Sequence, residues 1–168
     1  HPEGIKGAEA TTVAIYMART GSNLLEIQDY INKHYYKIDF KLDDIRASYE
    51  FNETCQETVP QALEAFFEST SFEDAIRNAI SIGGDSDTLA AITGGIAEAY
   101  YGIPTSIRNH ALSFLDESLL QILIDFENKY PSKIEISTKQ ASYSIETAST
   151  KKATGATRSE LLSASFDQ

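Results

Sequence analysis

Two carboxylates, Asp85 and Asp87, lie one residue apart, directly after the glycine pair Gly83–Gly84 and directly before Thr88. In a turn or an extended backbone, side chains two positions apart leave the same side of the chain. Two neighbouring carboxylates repel each other unless a cation lies between them or one is protonated. With the threonine hydroxyl they form a hard-oxygen set, which suits Mg²⁺, Ca²⁺ or Mn²⁺ rather than Zn²⁺. The spacing therefore raises the hypothesis of a cation site, and the glycines would let a ligand approach the backbone closely.

The same residues also fit the start of a helix. Aspartate is a favoured N-cap residue, and a second aspartate in the first turn complements the helix dipole. An apolar helical face follows and ends before Gly102, and its members are Leu89, Ile92, Ile96 and Ala99. An EF-hand loop is excluded, because Ala90 stands where that loop needs its sixth-position glycine, counting from Asp85. The spacing alone leaves cation binding and helix capping both open.

Other segments that must position this motif also carry helical signals. Apolar residues recur at helical spacing within residues 5–20, 23–36, 58–69, 71–82 and 117–130. Thr58 is the expected N-cap of the third segment, with Pro60 in its first turn, where a missing N–H has no cost. Ser71 and Asp74 are expected to cap the fourth segment as a capping-box-like pair. Residues 37–57 are less periodic, and for them we expect a structured loop with room for one short strand.

The composition divides the chain into two parts. About six helices and no convincing sheet indicate an all-α fold, and we assign residues 1–130 to one helical domain. Residues 131–168 are dominated by Ser, Thr, Ala and Lys and contain few large apolar residues. A segment of that kind cannot bury enough apolar surface to order itself. We therefore expect residues 131–168 to be a disordered tail.

Charge and cysteine content narrow the partners and the compartment. The 168 residues include 25 Asp and Glu against 14 Lys and Arg, a net charge of -11. This balance disfavours nucleic acid and anionic membranes as partners, because phosphate binding needs clusters of basic side chains. No apolar run reaches the ~20 residues that span a bilayer. The single cysteine, Cys55, cannot form an internal disulfide, which favours a cytoplasmic location.

Three stretches together resemble a known family. The sequence "AISIGGDSDTLAAITGGIAEAYYGIP", residues 79–104, closely resembles the C-terminal signature of the ADP-ribosylglycohydrolases, which include the dinitrogenase reductase-activating glycohydrolases. The opening "HPEGIKGAEATTVAIYMART" looks like the central helix of that family, and "TCQETVPQALEAFFESTSFEDAIRNAI" is similar to the segment that leads into the signature. The resemblance covers about residues 1–130, and it implies that they form the C-terminal part of an all-α domain.

The resemblance also implies an activity and a site. The activity is the metal-dependent hydrolysis of the glycosidic bond of ADP-ribose, with a dinuclear Mg²⁺ or Mn²⁺ centre. The substrate is an ADP-ribosylated protein or an ADP-ribose-containing small molecule. The implied metal ligands are Asp85, Asp87 and Thr88, and the two aspartates are also the implied catalytic residues. The implied substrate contacts are Gly83, Gly84 and His1, although a chain-end histidine without a role is the alternative for His1.

One departure from the family pattern bears on activity. The remaining metal ligands of the family belong to an N-terminal Thr-Asp-Asp-type motif, and residues 1–168 contain no replacement for it. Asp43 and Asp44 are adjacent, but we interpret them as part of a solvated turn. We therefore expect half of the ligand set and a chain that is the C-terminal part of a longer enzyme and is inactive alone. The alternatives are an ADP-ribose-binding module without turnover and a helical remnant whose tail recruits partners.

Overall fold

A computed structural model describes residues 1–130 of the chain, and the expected disorder of residues 131–168 lies outside the described residues. Residues 1–130 form helices and contain no strand, which confirms the all-α prediction. The helices are α1 (Pro2–Arg19), α2 (Leu24–His34), α3 (Leu42–Ile45), α4 (Cys55–Phe67), α5 (Phe72–Ser81), α6 (Ser86–Tyr101), α7 (Thr105–Leu112) and α8 (Glu117–Lys129). The chain divides into two compact units, residues 1–104 and the part that begins at Thr105.

Helix α6 is the centre of the first unit, and it packs against α1, α4 and α5. Its buried face consists of Leu89, Thr93, Ile96, Ala97 and Ala99. Three residues of the predicted apolar stripe are therefore buried, and the fourth, Ile92, is partly buried. The hydroxyl of Thr93 donates a hydrogen bond to the carbonyl oxygen of Ala62 in α4 at 2.8 Å, so this buried polar group is satisfied. Gly102 ends the helix, as predicted.

A mid-helix glycine in α6 allows close packing against α5. A Cβ atom built on Gly94 would lie 3.0 Å from Cδ1 of Ile76, which is tighter than an ordinary side-chain contact. Gly95 is different, because a Cβ there would find its nearest neighbour, Cδ1 of Ile15 in α1, at 3.7 Å. Gly94 therefore lets α6 lie close to α5, and position 95 has room for a methyl group.

The start of α4 differs from the sequence prediction. The helix begins at Cys55, so its N-cap is Thr54 and Pro60 lies inside the helix. Thr58 is buried, and its hydroxyl donates to the carbonyl oxygen of Asn52 at 3.2 Å instead of capping the helix. Because Pro60 has no N–H, the carbonyl of Gln56 loses its intrahelical partner. Gln56 is an exposed residue, so water can replace that hydrogen bond.

The segment before α4 also differs from its prediction. Residues 37–57 contain no strand and instead include the four-residue helix α3 and the first residues of α4. Leu42, at the start of α3, is fully buried in a cluster with Ala62 and Ala65 of α4. The backbone N–H of Leu42 donates to Oε1 of Glu68 at 3.1 Å. Residues 41–50 therefore form a strap that is fixed on α4.

The predicted start of α5 is confirmed. Ser71 is the N-cap of α5, and its hydroxyl accepts a hydrogen bond from the backbone N–H of Asp74. The Asp74 carboxylate accepts from Thr70 rather than from Ser71, so the capping box is not reciprocal. Helix α2 has a complete capping box between Asn23 and Glu26. These local contacts fix where the two helices begin.

The second unit contains α7 and α8. Helix α7 was not expected from the sequence, whereas the prediction of a helix within residues 117–130 is confirmed by α8. The carboxylate of Asp116 caps α8 by accepting a hydrogen bond from the N–H of Leu119. Arg108 of α7 pairs with Glu127 of α8 at 2.6 Å. No helix within residues 1–130 is both long and apolar enough to cross a bilayer.

Candidate cation site at the start of helix α6

The turn that leads into α6 depends on two glycines. Gly83 has a φ of +76° and Gly84 a φ of +63°. These values lie in the left-handed region, which residues other than glycine adopt only with backbone strain. The N–H of Gly83 donates to the carbonyl oxygen of Ile80 at 3.1 Å, which closes the end of α5. Ile82 is buried just before the glycines and Leu89 just after them, so both sides of the turn are anchored in the core.

Asp85 lies at the N-cap position of α6, but its side chain makes no capping hydrogen bond. Only its backbone carbonyl contributes to the helix, as the acceptor for the N–H of Leu89 at 3.0 Å. Helix capping was the alternative explanation for an aspartate at this place. The structure gives Asp85 the position of a cap without its usual hydrogen bond, so the half-buried carboxylate is available for another role.

Asp87 lies in the first turn of α6, close to Asp85. The pKa of the exposed Asp87 is lowered, first by a side-chain hydrogen bond with Asp85 and then by the backbone N–H of Thr88. That N–H lies 3.0 Å from Oδ1 of Asp87. Neighbouring carboxylates repel each other, and a proton or a cation between them removes that repulsion. Two of the predicted ligands therefore lie at the start of the same helix, and the exposed Thr88 follows directly in the chain. Their role as ligands stays a prediction.

The donor atoms at this place fit a hard divalent cation in kind but not in number. Two carboxylates and a hydroxyl are oxygen ligands of the type that Mg²⁺ prefers, and Mg²⁺ takes six ligands. Among residues 1–130, no group of three or more His, Cys, Asp and Glu side chains is arranged to hold a metal ion. Water, substrate oxygens or another polypeptide segment would have to supply the remaining ligands.

Tyr49 also lies near this turn, and no pattern in the sequence indicated it. A Cβ built on Gly84 would lie 2.5 Å from Cε1 of Tyr49 and 3.1 Å from the carbonyl oxygen of Glu50. The pKa of Tyr49 is raised, mainly by burial, and the charge of Asp85 raises it further. The tyrosine ring therefore lies directly against the glycine turn. No local pattern could have shown this, because residues 37–57 have no clear periodicity.

The other residues considered in the sequence analysis have local roles in the structure. His1 is the N-cap of α1, where its Nδ1 atom accepts from the N–H of Glu3 at 3.3 Å. Its predicted contact with substrate stays a prediction. Asp43 and Asp44 occupy the exposed first turn of α3. The carboxylate of Asp44 accepts a hydrogen bond from the N–H of Lys41 at 3.0 Å, which is a contact that stabilises the start of α3.

Comparison with known proteins identifies one family. A family model described as ADP-ribosylglycohydrolase matches residues 1–133. The match includes every helix described above and the whole candidate site. Comparisons with curated proteins and with solved structures gave no match.

Proposed function

The chain belongs to the ADP-ribosylglycohydrolase family, and on that premise we propose that it hydrolyses the glycosidic bond between the distal ribose of ADP-ribose and an acceptor. The acceptor would be a protein side chain or the remainder of an ADP-ribose-containing small molecule. One observation supports placing the chemistry at the start of α6. The carboxylate of Asp85 makes no capping hydrogen bond, although Asp85 lies at the N-cap of the helix whose first turn carries Asp87.

In this proposal Asp85, Asp87 and Thr88 hold Mg²⁺ or Mn²⁺ through their side-chain oxygens. Such a cation, when bound, would polarise ribose hydroxyls and favour the deprotonation of a water molecule. The positive end of the α6 dipole helps both carboxylates to stay ionised beside each other. These three residues come from one turn and the first turn of one helix, so their spacing is fixed by the local backbone.

The chain's own residues would also bind the substrate and move a proton. Asp87 is exposed and its pKa is lowered, so its carboxylate is ionised at neutral pH and can accept a proton from an attacking water molecule. The turn leaves space for a ligand, because a Cβ on Gly83 would meet no atom within 4 Å. The exposed backbone at Gly83 could therefore approach a ribose closely.

The proposal is tested by measuring the release of ADP-ribose. The chain is incubated with an ADP-ribosylated protein and Mg²⁺ or Mn²⁺, both alone and as part of the longer enzyme that the sequence leads us to expect, beside the variants Asp87→Asn and Asp43→Asn. Asp43 is a matched control, since it is also an exposed aspartate in the first turn of a helix. We expect Asp87→Asn to lower the rate by about 100-fold and Asp43→Asn to leave it unchanged. An equal effect of the two substitutions would contradict the assignment.

A second candidate function is ADP-ribose binding without turnover. It is favoured by the absence, within residues 1–130, of any group of three or more acidic, His or Cys side chains arranged around a metal. A site of that kind would bind ADP-ribose in the presence of a chelator, whereas the hydrolase would lose ligand affinity when the cation is removed. Calorimetric titration of ADP-ribose with and without chelator distinguishes the two functions.

A further inference from the structure

The ring of Tyr49 is the surface on which the glycine turn rests. The nearest side-chain atoms to an added Cβ on Gly84 are Cε1 of Tyr49 at 2.5 Å and Cδ1 at 3.0 Å. The ring also packs against the buried cluster that contains Ile82 and Leu89, the residues that flank the turn. Gly83 and Gly84 have no side chains with which to fix their own position. The packing of the turn on this side therefore comes from Tyr49.

Tyr49 itself is held in place at both ends. Its hydroxyl donates a hydrogen bond to the carbonyl oxygen of Glu57, in the first turn of α4, at 2.8 Å. Its backbone N–H donates to the carbonyl oxygen of Ile45 at 2.8 Å. The first bond holds the ring between α4 and the glycine turn, and the second fixes the backbone from which the ring extends.

The strap of residues 41–50 connects the tyrosine to the rest of the unit. Lys41 reaches the buried carboxylate of Glu64 in α4, with 2.7 Å between Nζ and Oε1. Arg46 contacts the hydroxyl of Ser81 at the end of α5. The strap is therefore attached both to α4, which accepts the hydrogen bond of Tyr49, and to α5, which leads into the glycine turn.

We infer that Tyr49 is a positioning residue for the carboxylates of Asp85 and Asp87. Asp85 follows Gly84 directly, so a displacement of the turn moves the first of the two carboxylates relative to the second. Two consecutive glycines have more backbone freedom than any other pair of residues, and a rigid contact on one side removes much of that freedom. The inference rests on the proposed function, because it assumes that the carboxylate pair binds a cation.

The test uses the full chain and compares two tyrosines. Tyr49→Leu removes the ring, and Tyr49→Phe keeps the ring but removes the bond to Glu57. Tyr101 is the matched control, because it is also half-buried and its hydroxyl donates to a backbone carbonyl, that of Ser69, at 2.7 Å. Each variant is measured for Mn²⁺ affinity by electron paramagnetic resonance, for hydrogen exchange at the Gly83 N–H, and for thermal stability without metal.

Substitutions of Tyr49 and of Tyr101 should affect these measurements differently. We expect Tyr49→Leu to weaken Mn²⁺ binding about tenfold or more, and to speed exchange at Gly83 by about tenfold. Tyr49→Phe should stay within about threefold of the native affinity. Tyr101→Leu should lower the melting temperature without changing either the Mn²⁺ affinity or the Gly83 exchange. If Tyr49 only stabilised the fold, its substitution would not change the Mn²⁺ affinity differently from the substitution of Tyr101.

Two results would overturn the inference. One is a folded Tyr49→Leu protein that binds Mn²⁺ as the native chain does, and the other is an equal loss of affinity in Tyr101→Leu. If Tyr49→Leu does not fold, Tyr49→Met takes its place, since it keeps most of the apolar volume without a flat ring. If the native chain does not bind Mn²⁺, the proposed function loses its cation site. Gly83 exchange then decides the positioning role alone, and unchanged exchange in Tyr49→Leu rejects it.

Discussion

The two glycines of the turn should respond very differently to the same substitution. Both have positive φ values, +76° at Gly83 and +63° at Gly84, so alanine is strained at either position. Only Gly84 also lacks space, since its Cβ would lie 2.5 Å from Cε1 of Tyr49, whereas a Cβ at Gly83 would meet nothing within 4 Å. Gly83→Ala therefore measures backbone strain, and Gly84→Ala measures backbone strain together with a steric clash.

The magnitudes follow from these two contributions. A left-handed conformation costs an alanine about 1–2 kcal/mol, and the loss of glycine freedom in the unfolded chain offsets about 0.4–1 kcal/mol of this. Overpacking against a fixed ring adds about 1–3 kcal/mol. The first two contributions are shared, so Gly84→Ala should be less stable than Gly83→Ala by about 1–3 kcal/mol. For a unit of this size that difference is roughly 4–12 °C in melting temperature.

Urea denaturation of the two variants and of the native chain measures this difference directly. Combining Gly84→Ala with Tyr49→Leu removes Cε1, the ring atom nearest to the added methyl group. The cost of Gly84→Ala should therefore be smaller in the Tyr49→Leu background than in the native one, with a coupling energy of about 1 kcal/mol or more. Equal destabilisation by the two alanines, or additive effects in the double variant, would refute the steric argument.

Two further predictions concern groups outside the turn. Burial raises the pKa of Glu64 above its ordinary 4.5, and the ammonium of Lys41 lowers it, so Lys41→Met should raise this pKa further. A raised carboxyl pKa makes the folded state less stable as the pH rises through that range. Urea denaturation of Lys41→Met should therefore show a larger loss of stability at about pH 8 than at about pH 5, and equal losses would contradict this. Gly95→Ala should stabilise the chain by about 0.5–1 kcal/mol, since the nearest neighbour of its Cβ would be 3.7 Å away. Gly94→Ala should gain less or lose stability, because its Cβ would lie 3.0 Å from Ile76; identical melting temperatures for the two variants would count against this difference.

Helix starts and stops with strong local signals could be predicted from the sequence. Ser71 caps α5 and Gly102 ends α6 as expected, because each acts through neighbouring backbone groups. Asp85 and Asp87 could be placed at the start of a helix for the same reason. The aspartate spacing alone did not decide between capping and cation binding, and the missing capping bond of Asp85 became visible only in the structure.

Features that depend on distant parts of the chain could not be predicted. The threonine and proline of "TVPQ" look like a helix start, but Thr58 instead bonds to the carbonyl of Asn52 and is buried inside α4. Helix α3 is four residues long, which is too short to show a helical period. The contact between Tyr49 and Gly84 joins an irregular segment to a turn far along the chain, and no residue pattern at either end encodes it.

The glycine turn is contacted by helices that adjoin it in the sequence and by a strap that is far from it in the sequence. Helices α5 and α6 are neighbours in sequence and pack against each other, so this hairpin can form by closing a short loop. The strap that carries Tyr49 must cover a much longer separation, since Arg46 and Ser81 are 35 residues apart. Contacts of this range form more slowly than local ones. We therefore expect the helical hairpin to form first during folding and the strap to dock on it later. The carboxylate pair would then reach its final geometry only in that late step, so the onset of cation binding would report when folding of the unit is complete.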